Sequence, residues 1–161
     1  MVAQCGDDAR HMPTPASVPS IKDRIKSFYE RISVDRDAAL EELPKLYTAD
    51  VHFINPVGDN AGLEGFTQNW VRALNQYSLF EFKDIEVTGT EEIFSLTYSM
   101  HIKLKALPFS PVFVSAMATD CHSKDGKVFF CRDYFDVGGT LLSPFPPLLW
   151  VYKKIAGLLV A

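Results

Sequence analysis

The spacing of apolar residues changes once along this chain, and that change sets the order of its elements. Up to residue 77, apolar side chains recur every three or four positions: Ile21, Ile25, Phe28, Tyr29 and Ile32 in one stretch, and Phe66, Trp70, Leu74 and Tyr77 in another. Such spacing is the face of a helix turned toward a core. From residue 79 onward the period falls to two, which predicts strands near 79–88, 92–106, 112–122 and 127–136. Helices followed by a run of antiparallel strands describe an α+β domain, with the helices packed on one face of a curved sheet.

Local signals refine this order. Ser20 follows Pro19 and precedes Ile21, where a helix N-cap belongs. "DAALEELPKLY" (37–47) predicts a second short helix in which Pro44 either opens a new turn or breaks the first one. "DVHFIN" (50–55) predicts a strand ending at Pro56, and "EGFTQNWVRALNQY" (64–77) a third helix. Within 92–106, Leu96, Tyr98, Met100, Ile102 and Leu104 alternate with Ser95, Thr97, Ser99, His101 and Lys103, so one face is apolar and the other wet. His101 falls on the wet face, as a solvated or interface residue and not a catalytic one.

At 161 residues and 47% hydrophobic, the chain suffices for one domain with a sizeable core. A net charge of −4 without a Lys/Arg cluster excludes phosphate-neutralising contacts and hence a nucleic-acid partner. Cys5, Cys121 and Cys131 have neither the number nor the spacing of a disulfide framework or a zinc site. No His/Asp/Glu spacing points to another metal and no glycine-rich loop to a phosphate, so no cofactor is expected. The expected setting is reducing and cytoplasmic. Residues 1–18 read as a disordered leader, 19–140 as the domain, and 141–161 as an apolar helical extension.

One residue resists the pattern. Asp133 lies in "CRDYFDVGG" (131–139), inside a strand-forming run, where an unpaired carboxylate in apolar surroundings costs several kcal/mol. Its direction depends on the turn "SKDGK" (123–127). A two-residue loop of Asp125 and Gly126 sets Asp133 opposite Ala118. A three-residue loop beginning at Lys124 sets it on one face with Ser115, Met117, Thr119, Cys121, Cys131 and Phe135. The residues alone leave both open. A carboxylate turned inward is either a base or the partner of a helix-borne arginine such as Arg24 or Arg31.

"LYTADVHFINPVG" (46–58) after two helices, then a helix, a long strand and "DGKVFFCRDYFD" (125–136), resembles the SnoaL-like branch of the nuclear transport factor 2-like superfamily over residues 21–140. The resemblance implies a cone: a strongly bent antiparallel sheet wrapped around three helices, enclosing an apolar pocket and commonly dimerising through the sheet face. Ketosteroid isomerases carry a general-base Asp just before a "PVG" like that at 56–58, where this chain has Asn55. Their hydrogen-bonding Tyr falls on Phe28, and their protonated Asp near Met117 or Ala118. The match to limonene-1,2-epoxide hydrolase is better. Its water-activating Asp and Asn fall on Asp133 and Asn55, while its Tyr falls on Phe53, and the Arg and Asp that protonate the epoxide fall on Met100 and Ile102. The same comparison implies the three-residue loop, with Asp133 and Asn55 sharing the pocket.

These readings converge on a small apolar ligand. Asp133 would serve as general base, Asn55 would position water or substrate, and Tyr98 would donate a hydrogen bond. Phe28, Phe53, Trp70, Met100, Ile102, Met117, Thr119 and Phe135 would line the pocket. Asn55 has a structural alternative, since an Asn before Pro often ends a strand by bonding its own backbone. A non-catalytic carrier of a lipid-like ligand and a dimeric assembly domain are the competing functions. Residues 148–161, interrupted by Lys153 and Lys154, are too short to span a bilayer. They are expected to close the pocket, to join a dimer interface, or to lie on a membrane surface, in descending order.

Overall fold

The computed structural model describes residues 19–107 and 109–160, except for the side chains of 159 and 160. The expected leader lies outside them. The chain runs through α1 (Ile21–Ile32), α2 (Arg36–Leu46), β1 (Tyr47–Asn55), β2 (Gly58–Ala61), α3 (Leu63–Gln76), β3 (Tyr77–Gly89), β4 (Ile93–Leu104), β5 (Phe113–Lys124), β6 (Lys127–Phe135), α4 (Val137–Leu142) and α5 (Pro146–Val160).

Each early helix has a chemical start. Ser20 Oγ accepts from the Asp23 N–H at 3.2 Å at the head of α1, and the Asp35 carboxylate accepts from the Ala38 N–H at 3.2 Å at the head of α2. The five apolar residues of the first periodic stretch are all buried along α1. α2 runs through Pro44 without a break. A proline in the last turn removes a single hydrogen bond close to where the ladder ends anyway, and its own carbonyl accepts from Lys127 Nζ at 2.8 Å.

The six strands form one sheet in the order β2-β1-β6-β5-β4-β3. Four of its neighbour pairs are antiparallel, but β1 and β6 run parallel, so the sheet is mixed and not purely antiparallel. β2, α3, β3, β4 and β5 all lie between these two strands in the chain, and a long connection of that kind permits a parallel pairing that a hairpin cannot make. α3 packs against β1 and β2 at one edge and against β3 at the other. A single helix touches both edges because the sheet curls around it. α1 packs on β3, and α2 on β1 and β6, which completes a cone closed by helices.

Ile25, Phe28, Ile32, Leu43, Val51 and Leu96 are completely buried at the centre. Phe28 meets Tyr29, Tyr47 and Trp70 edge to face, with centroid separations of 5.6, 6.5 and 5.3 Å. Beyond the sheet, α5 rests on α4, and Tyr152 donates to Asp136 Oδ1 at 2.7 Å. Its remaining surface exposes Leu148, Trp150, Val151, Ile155 and Leu158. No helix among the described residues is long and apolar enough to cross a membrane.

Candidate active site

A bulge decides where Asp133 points. The hairpin between β5 and β6 has a two-residue loop: Lys124 pairs with Lys127, while Asp125 and Gly126 take the left-handed φ values of 52° and 74° that a primed turn requires. An uninterrupted ladder from that turn would set Asp133 opposite Ala118. The register instead jumps from Ser123↔Val128 to His122↔Phe130, two steps on β6 for one on β5. Phe129 is the extra residue. Its ring and that of Phe130 both stand beside His122, at centroid distances of 6.1 and 5.3 Å, as two residues opposite one do in a bulge. Beyond it the parity is reversed, and Asp133 pairs with Thr119 on the inner face. The three-residue loop implied by the resemblance is therefore absent, although the facing it was meant to explain is present.

Asp133 opens onto a cavity of about 260 Å³ inside the cone. Phe53, Trp70, Met100, Met117 and Phe135 line it together with Asn55 and Tyr98. Phe28, Ile102 and Thr119 do not. Phe28 is sealed in the core behind Tyr29 and Trp70, Ile102 lies further along β4, and Thr119 sits beneath the cavity floor with 1% of its surface exposed. Sequence reasoning missed Tyr29, Tyr77, Phe80 and Phe82 on the wall, and Asn69, Arg72 and Gln76 from α3. The aromatic runs at 77–82 and the polar side of α3 were visible, but nothing local shows which lining a curled sheet brings together. No described side chain of α5 contributes, so the expected closure of the pocket is not seen among the described residues.

Among the described residues no salt bridge reaches the carboxyl. Arg24 donates to the carbonyls of Gly126 and Lys45, and Arg31 pairs with Glu42, so neither suggested arginine partner reaches it. Its partner is Thr119, whose hydroxyl donates to Asp133 Oδ1 at 2.6 Å. Desolvation in an apolar cavity disfavours the charged form and outweighs that single bond, which raises the Asp133 pKa to about 7. Asp133 is thus poised between acid and base at neutral pH.

Tyr98 and Asn55 complete the polar end. The Tyr98 hydroxyl lies 2.8 Å from Thr119 Oγ1. Thr119 has one hydroxyl hydrogen and spends it on the carboxylate, so Tyr98 is the donor of that contact while Asp133 is ionised. Asn55 Oδ1 accepts from the Val57 N–H at 2.9 Å, the strand-ending turn its position before Pro56 allows. With its oxygen committed, Asn55 offers the cavity N–H donors. The buried Trp70 Nε1, also on the cavity wall, has no hydrogen-bond partner among the described residues. Cys121 and Cys131 face each other across β5 and β6 as buried free thiols, and burial pushes both thiol pKa values well up. They pack, and do not react.

No protein-family model matches the chain, and neither does any curated protein. Solved structures do. A Catenulispora acidiphila protein with a ketosteroid isomerase-like fold, in complex with trimethylamine, superposes with a TM-score of 0.63 at 15% identity, over 80% of this chain and 93% of that one. An NTF2-like protein from Anabaena variabilis gives 0.61 at 15%, over 74% and 90%. A Jannaschia protein named among SnoaL-like polyketide cyclases gives 0.63 at 13%, over 79% and 95%. At such identities the agreement is one of architecture. The chain has the α+β fold of nuclear transport factor 2-like proteins, which ketosteroid isomerase-like and SnoaL-like proteins share.

Proposed function

We propose that this chain binds a small, largely apolar molecule in its cone and moves a proton on it with Asp133 as general base. One observation carries the reading: a carboxyl in a largely aromatic cavity, with a single hydroxyl partner and no salt bridge among the described residues. A group so placed takes a proton from an activated C–H or from an attacking water, the first step of an isomerisation or a hydrolysis. Asn55 then donates to the oxygen that gains charge or to the water, and its committed carbonyl favours the donor role. Asn69, Arg72 and Gln76 give the ligand's outer end a polar rim. Incubation with cyclic enones and terpene epoxides, followed by NMR for α-proton exchange or diol formation, tests the reading. Activity lost on Asp133→Asn supports it, and full turnover by that variant removes Asp133 from the mechanism.

A carrier without catalysis is the second reading. It is favoured by Met100 and Ile102, apolar where the epoxide hydrolase resemblance implies an acid pair. Binding unchanged in Asp133→Asn but abolished in Met100→Arg, with no turnover, identifies that role. The implied homodimer would use the outer sheet face, where Val114, Phe129 and Tyr134 are exposed, and sedimentation velocity measures it.

A further inference from the structure

Thr119 has a single hydroxyl hydrogen and two neighbours that compete for it. Its Oγ1 lies 2.6 Å from Asp133 Oδ1 and 2.8 Å from the Tyr98 hydroxyl, with no other hydrogen-bond partner among the described residues. While Asp133 is ionised, both hydrogens point inward, from Tyr98 to Thr119 and from Thr119 to the carboxylate. Protonation of the oxygen facing Thr119 reverses the row. The carboxyl then donates to Thr119, Thr119 donates to Tyr98, and Tyr98 turns its own O–H away from Thr119, toward the cavity it lines and the Tyr29 hydroxyl beside it.

We propose that Thr119 is a proton-relay residue, through which Tyr98 donates into the cavity only when Asp133 is protonated. The inference rests on the reading of Asp133 as the proton acceptor and names the path by which the proton returns. Three transfers make one turn of the relay. Tyr98 gives its hydrogen to a ligand oxygen, Thr119 gives its hydrogen to Tyr98, and Asp133 gives its hydrogen to Thr119. The ligand oxygen gains one proton, Asp133 is left as a carboxylate, and the row again points inward. That carboxylate next takes a proton from a ligand carbon or from water, which restores the starting count. The ligand class follows: an apolar molecule with an acceptor oxygen, such as a ketone or an epoxide, and not a hydrocarbon. It also answers what replaces the acid pair missing at Met100 and Ile102.

The surroundings leave Asp133 free to drive this switch. The titratable groups turned toward it are Tyr29 from α1, Tyr47 from β1, Tyr98 from β4, Cys121 from β5 and Cys131 from β6, and burial holds all of them above their ordinary range. Arg72 from α3 lies on the cavity wall, and β3 brings Phe80, Phe82 and Tyr77, whose pKa burial also raises. Among these tyrosines, these cysteines and the carboxyl, Asp133 is the one whose pKa lies near neutral pH.

The test needs no ligand. In ligand-free protein, NMR follows the Asp133 carboxyl carbon and the Tyr98 Cζ resonance, which reports whether the phenol donates or accepts, through a pH titration. Tyr98→Phe and Asp133→Asn assign the two signals. In the wild type and Thr119→Ser, the Tyr98 signal is expected to move with the Asp133 midpoint. In Thr119→Val, or Thr119→Ala where the valine variant does not fold, Asp133 still titrates but the Tyr98 movement shrinks several-fold. A Tyr98 signal that stays flat in the wild type overturns the relay, and so does one that moves equally without the Thr119 hydroxyl. Because no turnover is measured, loss of the relay and loss of the proposed activity are read separately.

Discussion

Asp133 stands opposite Thr119 and not opposite Ala118, because Phe129 is an extra residue in β6. By holding Phe129 out of the ladder, the bulge keeps the carboxylate on the cavity side of the sheet and off its solvent face. Deleting Phe129 should leave an uninterrupted ladder that runs from Ser123↔Val128 to His122↔Phe130 and keeps Asp133 opposite Thr119, whereas Phe129 drawn into the ladder would turn Arg132 and Tyr134 inward. Burying an unpaired guanidinium costs several kcal/mol, which disfavours that slipped register, so the deletion variant is expected to fold with Asp133 still in the cavity. A folded deletion variant whose Asp133 carboxyl titrates near the ordinary value of about 4 would contradict this reading of the bulge.

Asp133 should make stability depend on pH in an uncommon direction. Its pKa is raised from 3.8 to about 7 in the folded protein, so between those values the folded state holds a proton that the unfolded chain has released. Stability therefore falls as pH rises through that window and levels off above it. The raised value corresponds to a loss of up to about 4 kcal/mol. Asp133→Asn lacks this loss, so in urea denaturation it should exceed the wild type in stability at pH 8, with the difference vanishing toward pH 4. An equal difference at both pH values contradicts the assignment.

Phe28 and Trp70 lie in contact but should respond differently to truncation. Phe28→Ala is expected to cost about 3–5 kcal/mol, the range for a core aromatic, while leaving the cavity's lining side chains in place. Trp70→Ala should lower stability and also change ligand affinity, since its ring forms part of the wall. Chemical denaturation and ligand-induced melting shifts separate the two.

Removing α5 should leave the cavity working. A chain ending before Leu148 loses the Tyr152 bond to Asp136 but no lining residue, so its melting midpoint should rise with ligand as much as that of the full chain. A lost ligand shift would restore the helix to the pocket. The truncation also removes the exposed Leu148, Trp150, Val151, Ile155 and Leu158, so loss of liposome binding in the same variant would assign the helix to a membrane surface.

What the sequence showed and what it hid follow from one cause. α1 and β4 were legible because each has one wet face and one dry face, so periodicity reports their direction residue by residue. β2 is the four-residue "GDNA", too short and too polar to alternate, and α4 begins "VGG", with two poor helix formers. The bulge was hidden inside "VFFC" (128–131), where apolar residues on both faces erase the alternation that would have marked the extra position. The site was half legible for the same reason. Asp133 stood out as a charge in a strand, and Thr119 was placed on its face, yet their hydrogen bond depends on a register that only the folded hairpin reveals. Phe28 and Ile102 have the right character for a wall, but they are spent on the core.

The most direct test of the account is the ionisation of Asp133 itself, followed through its carboxyl-carbon NMR resonance and assigned with Asp133→Asn. A midpoint of about 7 is predicted, which would leave a base half ionised at neutral pH inside an apolar cavity. A midpoint near the ordinary carboxylate value of about 4 would mean a solvated, permanently charged group, and it would remove both the proposed base and the relay built upon it.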